Sequence, residues 1–126
     1  MIKVSNESVK ILIGIYETKL MMLDFDTPKK AHQIIKDLRK LKEADSIVND
    51  FRTGLVKKYK LDSDNVDPKK EKKATEEYIA MLLEKIDLDI EPLPEGCIDN
   101  IAISPMHVAV LEECKLYNFN YNEEQK

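Results

Sequence analysis

The chain has 126 residues, 43% hydrophobic and 35% charged, with a net charge of −4, two cysteines and three glycines. This is long enough for one hydrophobic core without staples and too apolar for a disordered chain. Two cysteines are too few for a disulfide framework, three glycines leave little room for a phosphate-cradling loop, and the negative balance argues against direct nucleic-acid binding.

The charge is unevenly spread. Residues 1–85 carry 18 Lys+Arg against 15 Asp+Glu, and residues 86–126 carry 2 against 9. Such a sign change marks either an interaction surface or an acidic tail. No run approaches the about 18 consecutive apolar residues of a membrane span. The opening MIKVSNESVK lacks a secretory apolar stretch, so a reducing cytoplasm is the expected compartment.

In chain order, Ile2-Lys3-Val4 reads as a short edge strand. Ser5 or Asn6 can cap a first helix through Leu23, because Val9, Leu12, Ile13, Tyr16, Leu20 and Leu23 keep helical spacing. The short link Asp24-Phe25-Asp26 makes this helix and the next an antiparallel pair. Thr27-Pro28, a hydroxyl cap before a first-turn proline, opens a long helix over about 27–61. Its apolar stripe is Ala31, Ile34, Ile35, Leu38, Leu41, Ala44, Val48, Phe51, Leu55 and Tyr59, with Leu38, Leu41, Val48 and Phe51 expected in the core. A strict heptad from Ala31 would place Asp45 and Arg52 in the seam, so the period favours packing within the chain over a dedicated zipper. The same helix is where an oligomer would form.

Leu61–Val66 is a polar turn, and Asp67-Pro68 repeats the cap-plus-proline device at the start of a third helix through about Lys85. Lys69, Lys70, Lys72 and Lys73 crowd its first two turns, the wrong sign for that end of a helix. They read either as a solvated helix end or as a phosphate contact. Ile86-Asp87-Leu88-Asp89-Ile90-Glu91 then alternates as a half-buried strand with an acidic outer face. A turn through Pro92–Gly96 follows, and Ile101 and Ile103 are expected to form a second short strand. Ser104-Pro105 opens a last helix with Val108, Leu111 and Cys114 facing inward. The expected fold class is α+β, mainly helical: an antiparallel helical core around one long helix, a small C-terminal β element and a short last helix. One domain over 1–117 precedes a polar, flexible tail at 118–126 that holds the aromatics Phe119 and Tyr121.

Chemistry is thinly signalled. His107, Glu112, Glu113 and Cys114 share one helix, with Cys97 nearby, but His107 and Cys114 stand two turns apart, roughly 10 Å. No CxxC or HxxxH accompanies them, so no catalytic, cofactor or metal residue is assigned. Asp62, Asp64 and Asp67 imitate a calcium loop, yet its sixth position is Asp67 rather than glycine and its twelfth is Lys73. The strongest polar feature is the set Asp87, Asp89, Glu91, Glu95 and Asp99, the candidate partner-binding residues. They read either as a contact surface for basic groups or as edge-strand charges that block sheet-to-sheet aggregation.

The stretches KKAHQIIKDLRKL, FRTGLVKKYKL, EEYIAMLLEKIDLDIEPLP and ISPMHVAVLEE together resemble a family of small uncharacterised phage and prophage proteins of low-GC Gram-positive bacteria. The likeness covers about 20–113, and the link after Lys60 is shorter than the family's. The resemblance implies a viral or prophage origin and the cytoplasm of a bacterial host, and it transfers no functional residue. The expectation is a non-enzymatic protein-binding module accessory to phage assembly. The alternative is an inhibitor of a host defence enzyme, anti-CRISPR-like, acting through its acidic surface, and an enzyme or metal-binding protein is the distant third reading. The partner would be a viral structural protein or a host defence protein, with no membrane and no cofactor.

Overall fold

The computed structural model describes residues 1–119. It contains β1 (Ile2–Ser5), α1 (Asn6–Thr18), a 3-10 turn (Leu20–Met22), α2 (Pro28–Lys58), α3 (Pro68–Leu83), β2 (Lys85–Leu88) and α4 (Pro105–Glu113). The architecture is α+β and mainly helical, with one long helix, a small two-stranded antiparallel sheet and a short last helix, as the periodicities predict.

Each cap-plus-proline device starts a helix. Thr27 Oγ1 accepts from the Lys30 N–H at 3.3 Å, Asp67 Oδ1 from Lys69 at 2.9 Å, and Ser104 Oγ from His107 at 3.3 Å. Each bond satisfies one of the orphan donors of a first turn. Ser5 caps α1 by accepting from the Ser8 N–H at 3.1 Å. The first helix ends at Thr18 rather than Leu23, because the chain tightens into the 3-10 turn that buries Leu20 and leaves Leu23 half-buried.

At 31 residues, α2 is about 46 Å long. Its N-terminal half lies against α1, and two ion pairs flank the contact: Lys10 Nζ to Asp45 Oδ1 at 2.6 Å and Lys42 Nζ to Glu17 Oε2 at 2.9 Å. Ile34, Leu38 and Leu41 join Val9, Leu12, Ile15, Tyr16 and Leu20 of the first helical segment, Leu111 of α4 and the loop residues Ile90, Leu93, Ile98, Leu116 and Tyr117 in one core. Farther along α2, Val48 and Leu55, with Ala74 of α3, are buried outside that core. There Lys58 Nζ meets Glu77 Oε1 at 3.3 Å across the α2–α3 contact. Phe51 corrects the expected core: it is 37% exposed, because it falls on the flank of α2 rather than on the line from Leu41 through Val48 to Leu55.

The β element also differs from expectation. β2 pairs antiparallel with the N-terminal β1, with Ile2 opposite Leu88, Lys3 opposite Asp87, Val4 opposite Ile86 and Ser5 opposite Lys85. Ile101 and Ile103 lie in loop and pack half-buried on the core. The pairing places Ile2 and Val4 on the same face as Ile86 and Leu88, giving each two-residue apolar set a partner. The ladder stops at Leu88, not at Glu91. Ile90 N–H turns back to the Leu88 carbonyl at 3.0 Å, an i to i+2 turn that drops the fully buried Ile90 into the core.

Asn6 locks this corner. Its backbone N–H donates to the Glu84 carbonyl at 3.0 Å and its Nδ2 to the Met81 carbonyl at 2.8 Å, tying the start of α1 to the end of α3. At the other end, Tyr117 is buried and Phe119 packs edge-on against it, ring centres 4.6 Å apart. Phe119, assigned to the tail by composition, therefore belongs to the packed body. The remainder of that tail, 120–126 with Tyr121, lies outside the described residues.

Candidate functional site

The acidic run does not form one surface. Asp87 and Asp89 stand at β2, exposed, with Ile86 and Leu88 half-buried on the opposite face, as strand alternation requires. Asp87 sits across the ladder from Lys3. Asp89 is held by α2: Lys40 Nζ donates to its backbone carbonyl at 2.6 Å and lies 3.7 Å from its carboxylate. Glu91 turns to a separate cleft beside Lys29, Lys30 and Gln33, and Glu95 to another beside Glu112, Lys115 and Tyr117.

Asp99 has a structural role. Its carboxylate accepts the Tyr117 hydroxyl at 2.6 Å, and that hydroxyl in turn accepts the Ile98 N–H at 3.3 Å. Burial and the Asp99 carboxylate together push the Tyr117 phenol up to about 12. Of the five carboxylates proposed from sequence, the structure brings together Asp87 and Asp89.

Both border a groove of about 530 Å³ between β2 and α2. Ala44 and Ile47 line it from α2 and Ile86 and Leu88 from the strand, with Met81 and Asn6 also in the lining. Around these apolar residues stand Glu43, Glu84, Asp87 and Asp89, with Lys40 on the α2 side. Ile47 is 64% exposed. Helical geometry explains the assembly of the wall: Lys40, Glu43, Ala44 and Ile47 recur at threes and fours on one flank of α2. Sequence reasoning missed Glu43, Ile47 and Glu84, since nothing local tells which flank of a long helix a distant strand will approach.

A buried carboxylate lies on the same helix. Asp37 is 1% exposed; its Oδ1 accepts from Gln33 Nε2 at 2.8 Å, while its Oδ2 finds no partner among the described residues. Burial raises its pKa above the ordinary carboxylate range, against the Gln33 amide, the Glu91 backbone N–H and Lys40, all of which favour the ionised form. Tyr16, also buried and with its hydroxyl unpartnered among the described residues, has its pKa raised by burial and then by the Asp37 charge.

The Cys97 and Cys114 thiols are free, and burial pushes both up, Cys97 to about 11. Such thiols stay protonated at neutral pH, unlike the depressed thiolates of reactive cysteines. Among the described residues no three His, Cys, Asp or Glu side chains are grouped to hold a metal ion, and no helix is long and apolar enough to cross a membrane. Lys69, Lys70, Lys72 and Lys73 are all exposed on the first turns of α3. No family model, characterised protein or solved structure matches the chain.

Proposed function

We propose that this chain is a non-enzymatic protein-binding module of phage origin, accessory to assembly, whose contact face is the acid-rimmed groove between α2 and β2. The observation that carries the reading is the groove's make-up: apolar walls at Ala44, Ile47, Ile86 and Leu88 under a rim of four carboxylates. Apolar contact supplies affinity at an interface, and complementary charge supplies orientation and on-rate. The matching partner surface is therefore basic around an apolar centre. The inhibitor reading takes the acidic strand as one surface, and the dispersal of Glu91, Glu95 and Asp99 to other surroundings leaves it two of its five carboxylates. The viral origin rests on the sequence resemblance.

The test is affinity purification of the tagged chain from phage-bearing host cells, read by mass spectrometry. Virion structural proteins in the eluate are the expected result. A host nuclease or defence protein would replace the assembly role by inhibition, and recovery of the chain alone would contradict the binding-module reading.

A further inference from the structure

We propose that the groove receives an extended segment of a partner protein as a third strand, laid along the free edge of β2, with alternating apolar and basic side chains. This deepens the protein-binding reading and rests on it.

The ladder sets which backbone groups are on offer. Asn6 N–H donates to the Glu84 carbonyl at 3.0 Å, one step beyond the Ser5–Lys85 pair and in phase with the sheet. In an antiparallel ladder alternate residues turn their N–H and C=O to the same neighbour. Glu84, Ile86 and Leu88 thus face β1, and Lys85 and Asp87 turn theirs to the opposite edge. The Asp89 carbonyl, next in that series, is occupied by Lys40 Nζ at 2.6 Å, which marks where the free edge ends. The sheet has only β1 and β2 among the described residues, so this edge has no strand beside it.

An open edge is ordinarily covered or blunted. Here α2 stands off from it across about 530 Å³, within the range of volumes that hold ligands. A strand entering this space would show its side chains alternately to the two faces of the sheet. One set would meet Ile86, Leu88, Ala44 and Ile47, and the other Asp87 and Asp89. Alternating apolar and basic residues satisfy both faces at once.

Charge decides among the occupants. Between the β2 edges of two copies, the antiparallel registers that set Asp87 opposite Asp87 or Asp89 bring like charges face to face, which is destabilising, and the register that sets Lys85 opposite Asp87 leaves both Asp89 carboxylates unmatched. The chain's own C-terminal residues 120–126 include Glu123 and Glu124 against Lys126 alone, the wrong balance for an acidic rim. A basic segment of another protein matches it.

The test selects random peptides against the immobilised full chain and then follows amide exchange of the complex. Enriched peptides are expected to alternate Lys or Arg with apolar residues at a spacing of two. The bound peptide should slow exchange of the Lys85 and Asp87 amides by about tenfold and change those of Ile86 and Leu88, already facing β1, far less. N-methylation of the peptide residue facing Asp87 should abolish binding, and methylation of its immediate neighbours should not. Enriched peptides of helical period, unaltered exchange at Lys85 and Asp87, self-association of the chain through the edge, or no enrichment would each overturn strand addition. A partner that nevertheless co-purifies with the chain would keep the binding-module reading intact.

Discussion

At the scale of single residues, Asp37 is a buried carboxyl with Oδ1 bonded to Gln33 and Oδ2 without a hydrogen-bond partner among the described residues. Its raised pKa means that the folded chain binds the proton more tightly than the unfolded one. Stability from this group therefore increases as pH falls through the folded pKa, is fully present below the unfolded value near about 3.9, and is lost above the folded pKa. Asp37→Asn keeps the shape and an acceptor for Gln33 without the charge. It should match or exceed wild-type stability at neutral pH, by up to about 1 kcal/mol, with the difference shrinking toward pH 4. Urea unfolding across that range checks this. A variant weaker than wild type at neutral pH, by a margin that shrinks as pH falls, would show that the carboxylate's bonds outweigh the cost of its burial. Nothing in the local sequence marks Asp37 as buried, since aspartate on a charged helix ordinarily faces water.

At the scale of elements, local chemistry was legible and pairing was not. The three cap-plus-proline starts, the stripe from Ile34 through Leu55 and the alternation from Ile86 to Ile90 each depend on neighbours within a turn or two. The β1–β2 ladder joins residues 80 or more positions apart, and Ile101 and Ile103 offer the same spacing of two as Ile2 and Val4. The closure of α1 against α3, through Asn6, holds the N-terminal strand beside β2. The flank of α2 was ambiguous for the same reason, and Phe51 shows the consequence. Leu41→Ala, at a fully buried site in the main core, should cost about 2–5 kcal/mol in chemical unfolding. Phe51→Ala, from a side chain already 37% exposed, should cost less than half as much. Equal losses at both positions would place Phe51 in the core after all.

At the scale of the whole molecule, the charge asymmetry of the sequence resolves into several local arrangements. Asp99 braces Tyr117, Glu91 and Glu95 turn to separate clefts, and Asp87 and Asp89 join Glu43 and Glu84 at the groove. The candidate site was half-legible: the strand contributed its carboxylates through alternation, while the helix contributed Glu43 and Ile47 through a tertiary approach. This also changes which side chains should be altered to probe binding. Asp89 is tied to Lys40, so reversing either disturbs the α2–β2 junction itself. Glu43, Glu84 and Asp87 are exposed, and their removal should leave the fold intact. The decisive measurement is quantitative co-purification from phage-bearing host cells, comparing the wild-type chain with a Glu43→Lys, Glu84→Lys, Asp87→Asn variant at low and high salt. A partner held by the wild type, weakened by salt and reduced about tenfold or more in the variant at unchanged melting temperature, is the expected result. The same partners recovered in equal yield from both chains would contradict the groove as the contact face.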